Sequence, residues 1–211
     1  MNTVLFVKAL GAFFAIMNPF INLPMFLSLT DGQSVEMRRH TGMRVAMFST
    51  IMCFVVLATG TSLLNFFGIR LSDFRVAGGL VLLTVAFGML SGKGASSHEG
   101  SSSEQHEQAY VEDIAFYPMS FPMIVGPGTI TTIIVLDAQT RTVMDHVMIV
   151  VALVIQLALL AIVLYFSSQI GKHMSLTLRT IMTRLMGMVL AAISIQLMAN
   201  GLLKLFPGLG H

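Results

Sequence analysis

Two short runs place a helix-capping residue directly before a proline at the centre of otherwise charge-free sequence. The first is Asn18-Pro19, followed by Asn22 and Pro24. The second is Gly126-Pro127-Gly128-Thr129, preceded by Pro118 and Pro122 and followed by Thr131 and Thr132. Asparagine and glycine suit an N-cap, and proline suits the first helical position because its missing N–H has no partner there anyway. Each run therefore predicts a helix that begins in the middle of an apolar segment. Such a break presents unpaired N–H groups and the positive end of a half-helix dipole, which favour an anionic group such as a carboxylate. The competing account is a proline kink repaired by neighbouring helices, which membrane helices tolerate. Two breaks in corresponding positions favour a binding site, with Asn18, Pro19, Asn22, Gly126, Gly128, Thr129 and Thr132 as the contacting residues.

The elements that carry these runs are set by composition. Of 211 residues, 55% are hydrophobic and 10% charged, against about 25% charged in a soluble domain. Six windows hold no Asp, Glu, Lys or Arg: Ala9–Thr30, Val45–Ile69, Val76–Gly92, Ile114–Leu136, His146–Gly171 and Leu185–Leu203. Their lengths suit helices crossing a hydrocarbon core about 30 Å thick, which needs roughly 20 residues. Apolar residues run continuously instead of alternating, which excludes a β-barrel. The first window has Asn and Pro at its centre and no A-x-A site after it, so it is expected to be a span and not a signal peptide. The expected fold is an all-α membrane protein of six transmembrane helices.

Between the third and fourth windows, Gly94–Gln108 is a Gly/Ser/Glu/His-rich stretch that buries too little apolar surface to fold alone. It divides the chain into a first three-helix repeat (1–92), a flexible cytoplasmic linker (93–112) and a second three-helix repeat (113–211). A shift of 108 residues aligns Ile16 with Ile124 and Pro19 with Pro127. A shift of 109 aligns Arg75 with Arg184, Gly78 with Gly187, Met89 with Met198 and Gly92 with Gly201. Because three spans is an odd number, the second repeat enters the membrane inverted, with broken first and fourth helices facing each other. Lysine and arginine bias places both termini outside, with seven cations inside: six on the cytoplasmic loops Asp31–Arg44 and Lys172–Arg184, and Lys93 at the linker. The outer segments carry five: Lys8, Arg70, Arg75, Arg141 and Lys204.

Four further polar residues could gate or line a pathway. Arg75 and Arg184 open the third and sixth spans near opposite faces, where the plain alternative is snorkelling to the interface. Gln196 and Asn200 are one turn apart on the sixth span, while Gln156 sits within the fifth. Such amides either bridge helices or face a pathway. Gly78, Gly79, Gly187 and Gly201 are read as close-packing positions.

Asn18-Pro19-x-x-Asn22-x-Pro24-x-Phe26, Phe74-Arg75-Val76-Ala77-Gly78-Gly79, Pro122-x-x-x-Gly126-Pro127-Gly128-Thr129-Ile130 and Arg184-Leu185-Met186-Gly187 together resemble the MarC family. The motifs occur in order across essentially the whole chain. One departure is that Phe20-Ile21 stands where many members carry Ile/Leu-Gly. The resemblance implies a six-span inner-membrane protein of bacteria or archaea, within the LysE exporter superfamily. It also implies transport of small neutral amino acids, as described for some members, whereas the link to antibiotic resistance in the family name establishes no role.

The expected function is a secondary transporter or exporter of small neutral amino acids or similar small zwitterions, by alternating access. The alternatives are a non-transporting sensor or assembly factor acting through its linker, and a channel or drug efflux pump. No carboxylate lies deep in a span, so a proton relay through central acids is not expected. Coupling to a sodium ion, or to a proton at a terminal Asp, stays open. Besides the small-molecule substrate and the lipid bilayer, self-association stays open. The net charge of +2 is spread over short loops, which gives a nucleic-acid partner no support. No cofactor, metal site or enzymatic activity is expected: the histidines lie in loops or at the terminus, and no HExxH or phosphate loop occurs. Cys53 stands alone within the second window and reads as a small buried apolar side chain.

Overall fold

A computed structural model describes residues 3–91, 113–206 and 208. The Gly94–Gln108 linker lies outside them. Among the described residues the chain is all-helical: α1 (Thr3–Ile16), α2 (Pro19–Leu29), α3 (Val35–Phe66), α4 (Leu71–Leu90), α5 (Ala115–Ile124), α6 (Pro127–Asp137), α7 (Val143–Tyr165), α8 (Ser167–His173) and α9 (Leu176–Leu205). Five segments are long and apolar enough to cross a membrane: Thr3–Leu29, Val35–Phe66, Leu71–Leu90, Val143–Tyr165 and Thr180–Leu205. A sixth arises if α5 and α6, which meet at 56°, form one broken span. Each charge-free window thus overlaps a candidate span, the fourth only if α5 and α6 are taken together; the first is itself divided into α1 and α2.

The loops differ from expectation. Asp31–Arg44 and Lys172–Arg184 are mostly helix. Ser34 caps α3 by accepting from the Met37 N–H at 3.2 Å, and Ser175 caps α9 by accepting from the Leu178 N–H at 3.2 Å. At about 1.5 Å per residue, the 32 residues of α3 exceed a 30 Å core by several turns. Arg38, Arg39 and Arg44 stand on that projecting end. Charge marks where lipid stops, whereas backbone hydrogen bonding carries the helix onward into the interface. Arg38 also ties the end of α2 to α8: Nε and Nη2 donate to the Thr30 hydroxyl and carbonyl at 3.1 and 3.0 Å, and Nη1 donates to Ser168 Oγ at 3.1 Å.

The largest helix–helix interface joins α4 and α9, which run antiparallel, Gly201 lying against Val76 and Gly187 against Met89. Small residues allow it. A Cβ on Gly79 would lie 2.9 Å from the Ser194 carbonyl oxygen, and one on Gly201 would lie 2.8 Å from that of Ser72. On Gly187 it would lie 3.1 Å from Met89 Cβ. Around this pair α1 packs on α7, and α3 on α7 and α5. Fully buried Phe13, Met17, Phe26, Met123 and Ile133 of the broken first and fourth spans form the core with Leu82 of α4 and Leu153 of α7. Val55, Ile162 and Met188 point outward, as lipid-facing positions do.

Candidate functional site

Both breaks fall where the sequence places them. α1 ends at Ile16 and α2 begins at Pro19, with Asn18 as its cap; α6 begins at Pro127, capped by Gly126. Their hydrogen bonding is not equivalent. At the first break Asn18 Oδ1 accepts from the Phe20 N–H at 3.0 Å, and the Asn18 carbonyl accepts from the N–H groups of Ile21 and Asn22, each at 3.2 Å. The Asn22 amide donates to the same carbonyl at 3.1 Å. The free N–H groups expected there are therefore already paired, because the cap and its own carbonyl close the first turn locally. What the break leaves open is different. The Met17 carbonyl is met from α7 by Gln156 Nε2 at 3.4 Å, and Asn18 Nδ2, on a residue 1% exposed, has no partner.

At the second break the donors remain. α5 is wound wider than an α-helix: the Val125 N–H reaches five residues back to the Ser120 carbonyl at 2.9 Å. Tyr117 and Phe121, each preceding a proline, are extended. Ser120 Oγ donates to the Ala115 carbonyl at 2.7 Å and to the Val45 carbonyl of α3 at 3.1 Å, which pins this irregular segment. Beyond Gly126, the first helical bond is Ile130 N–H to Gly126 at 3.0 Å. The N–H groups of Gly128 and Thr129 have no acceptor among the described residues. Their neighbouring hydroxyls are used internally, Thr129 toward Ile124 at 2.7 Å and Thr132 toward Gly128 at 2.8 Å.

The two breaks meet. A Cβ on Gly128 would lie 2.6 Å from Cδ1 of Ile16, the last residue of α1, and 2.9 Å from Leu82 Cδ2. α1 touches α6 and α2 touches α5, so the broken spans cross near their discontinuities. Asn18, Pro19, Asn22, Gly126, Gly128 and Thr129 are all buried there.

A polar cavity of about 590 Å³ opens at one end of the bundle, where α1, α4, α7, α9 and the end of α6 converge. Lys8, Arg75, Arg141, Asp145, Asn200 and Lys204 are on its wall. Below it, a recess of about 30 Å³ shares Lys8 and Asn200 with the cavity and reaches Thr132 and Gln196. Of the expected pathway residues, Arg75, Gln196 and Asn200 therefore come together, and Thr132 joins them from the binding set. Arg184 is exposed on α9 and lines neither space. Arg75 is 7% exposed, and no described residue bonds or pairs with its guanidinium. Asp145 is the acid on the wall. Its Oδ2 accepts from the N–H groups of Arg141 and Thr142 at 3.2 and 3.3 Å, so it is occupied in capping α7.

In the sequence Lys8, Arg141 and Lys204 read only as charges flanking spans; their convergence appears in the fold. The available signal was their side: four of the five cations assigned outside line this one cavity, while the fifth, Arg70, pairs with Asp73 at 2.9 Å. Among the described residues no cluster of His, Cys, Asp and Glu could hold a metal ion.

The profile described as MarC family integral membrane protein matches residues 3–206. The chain belongs to the MarC family. Similar proteins include the UPF0056 membrane protein YvbG of Bacillus subtilis, 31% identical over 197 residues and 92% of each chain. The UPF0056 membrane protein YhcE of Escherichia coli is 30% identical over 200 residues, 93% of this chain and 91% of its own. An archaeal UPF0056 membrane protein, from Archaeoglobus fulgidus, is 28% identical over 197 residues, 93% and 92% of the two chains. No solved structure matches the chain. This MarC family member is thus an integral, multi-pass membrane protein of a type present in bacteria and archaea.

Proposed function

We propose that this MarC family protein is a secondary carrier of small neutral amino acids or similar small zwitterions, acting by alternating access in the inner membrane. The observation that carries the reading is the crossing of two broken spans, break against break, with three buried donors left over: the N–H groups of Gly128 and Thr129 and the Asn18 amide. Secondary transporters place substrates where discontinuous helices meet near the midplane. A carboxylate takes the α6 N-terminus and the Asn18 amide, while the carbonyl end of α1 suits an ammonium. The polar cavity and its recess toward Thr132 mark the side on which the halves would open, the recess of about 30 Å³ being closed to an amino acid in this structure.

The inverted repeat expected from the sequence accords with the same mechanism. Under the 109-residue shift, the Met89–Gly187 contact maps onto Gly78–Met198. The Met198 side chain in fact meets Gly79, one residue on. In this reading an in-plane two-fold axis would pass through the α4–α9 seam, about which one three-helix half rocks against the other.

The test is saturable, stereoselective flux of alanine, serine or glycine into proteoliposomes, with and without proton and sodium gradients. Asn18→Asp keeps an oxygen to cap Phe20 but replaces the free donor with a carboxylate that repels the substrate's own, whereas Asn18→Leu destroys the cap as well. A hydrogen bond to a charged group is worth about 1.5–3 kcal/mol, so flux in Asn18→Asp is expected to fall roughly tenfold or more. Equal flux in wild type and Asn18→Asp would remove Asn18 from the site, and no saturable flux for any small zwitterion would end the carrier reading.

A further inference from the structure

We infer that the polar cavity is an equilibrium binding site for a compact soluble dianion, either a dicarboxylate or a phosphate monoester, held on the Arg75 guanidinium. Four cationic side chains face one space of about 590 Å³: Lys8, Arg75, Arg141 and Lys204. The opposing charge is Asp145, and two backbone N–H groups already engage its Oδ2. Three positive charges are therefore uncompensated. A charged group inside a span is normally paired, because leaving it without a partner is costly. Arg75 is 93% buried, and its Nε is sealed from solvent without a partner. A guanidinium offers a planar fork of donors that matches the paired oxygens of a carboxylate or phosphate.

The other groups fix the size and charge of the ligand. Lys8 Nζ donates to Gln139 Oε1 at 3.4 Å, a long contact that leaves its charge unneutralised. Arg141 and Lys204 are exposed at the rim, where they draw anions inward by long-range attraction. Past Lys8 and Asn200 the space narrows to about 30 Å³, too small for more than a water or two. The ligand is therefore retained in the outer cavity and is compact. A neutral zwitterion is a poorer occupant, since its ammonium would face the same cations with the Asp145 oxygen already engaged. A lipid headgroup is disfavoured because the buried fork lies beneath the rim cations and because the cavity leads inward to the recess.

Binding here lies at the mouth of the pathway and is measured at equilibrium, without flux, so its failure is distinct from failure of the carrier reading. The full chain, in nanodiscs of phosphatidylcholine at low salt, is titrated with succinate, with inorganic phosphate and with alanine as the neutral comparison, by calorimetry and by thermal unfolding. Succinate or phosphate is expected to raise the unfolding midpoint and alanine is not, and the affinity falls as salt is added. Arg75→Gln is expected to weaken binding roughly tenfold or more, while unliganded Arg75→Gln unfolds no earlier than wild type because the guanidinium has no partner to lose. Lys204→Gln at the exposed rim weakens binding about two- to fivefold, and Lys172→Gln, outside the cavity, leaves it unchanged. Binding of neither dianion, or equal binding by wild type and Arg75→Gln, overturns the inference. Occupancy only by phosphatidylglycerol added to the nanodisc also overturns it and assigns the cavity to a headgroup.

Discussion

Replacing Gly79 by alanine tests whether the α4–α9 seam is as close as described. The added Cβ would lie 2.5 Å from Met198 Cγ, 2.9 Å from the Ser194 carbonyl oxygen and 3.2 Å from the Met198 backbone nitrogen. The methionine side chain can swing away, but the backbone atoms cannot, so the helices must part by several tenths of an ångström. Overpacking of this kind costs about 1–3 kcal/mol. The same change also gains about 1 kcal/mol of helix propensity, which partly conceals the cost. Gly11→Ala in α1 supplies the reference. No atom lies within 4 Å of a Cβ placed there, so only the propensity gain operates. The difference between the two variants is then the clash alone, which corresponds to roughly five- to 150-fold in the unfolding equilibrium. Reversible unfolding in mixed micelles, or steric trapping in bicelles, reads it directly. If Gly79→Ala and Gly11→Ala shift stability equally, the two helices are not in backbone contact. Inverted halves then lose the reciprocal glycine–methionine contact that supports them.

Two further outcomes follow from the hydrogen-bonding pattern. Gln156→Leu removes the donor that meets the Met17 carbonyl at the first break. Because that bond is long at 3.4 Å and interhelical bonds in membranes average about 0.6 kcal/mol, the expected loss is below about 1 kcal/mol. A loss above about 3 kcal/mol would mean that α1 and α2 depend on it to stay broken. Arg44 and Asp113 pair at 2.6 Å, but their side chains are 41% and 31% exposed. A double-mutant cycle with Arg44→Gln and Asp113→Asn should yield a coupling under about 1 kcal/mol, and one above about 2 kcal/mol would show that the pair is shielded from water.

Much of the arrangement is legible in the residues themselves. The Asn18-Pro19 and Gly126-Pro127 signals locate both breaks to the residue, because capping and a missing amide act within one turn and need no distant partner. Charge-free windows locate the spans for a similar reason, since transfer of a segment into lipid depends on its own side chains. Span ends are less legible. Ser34 and Ser175 begin helices roughly ten residues before the windows they carry, because a helix entering the interface tolerates arginine. The symmetry between Arg75 and Arg184 is visible in sequence but not kept in environment: one is buried at a cavity and the other exposed.

The sequence by itself determined a multi-pass helical membrane protein of the MarC family with its first and fourth segments interrupted at Asn18 and Gly126, because apolar length and local capping are properties of contiguous residues. Tertiary structure alone decided which donors stay free. Asn18 spends its oxygen and carbonyl on its own helix, while Gly128 and Thr129 keep their N–H groups. It also decided that Lys8, Arg75, Arg141 and Lys204, up to 196 residues apart in the chain, share one cavity. Coulombic fields and hydrogen bonds depend on distance in space, and only the packing of α1, α4, α7 and α9 brings those charges together.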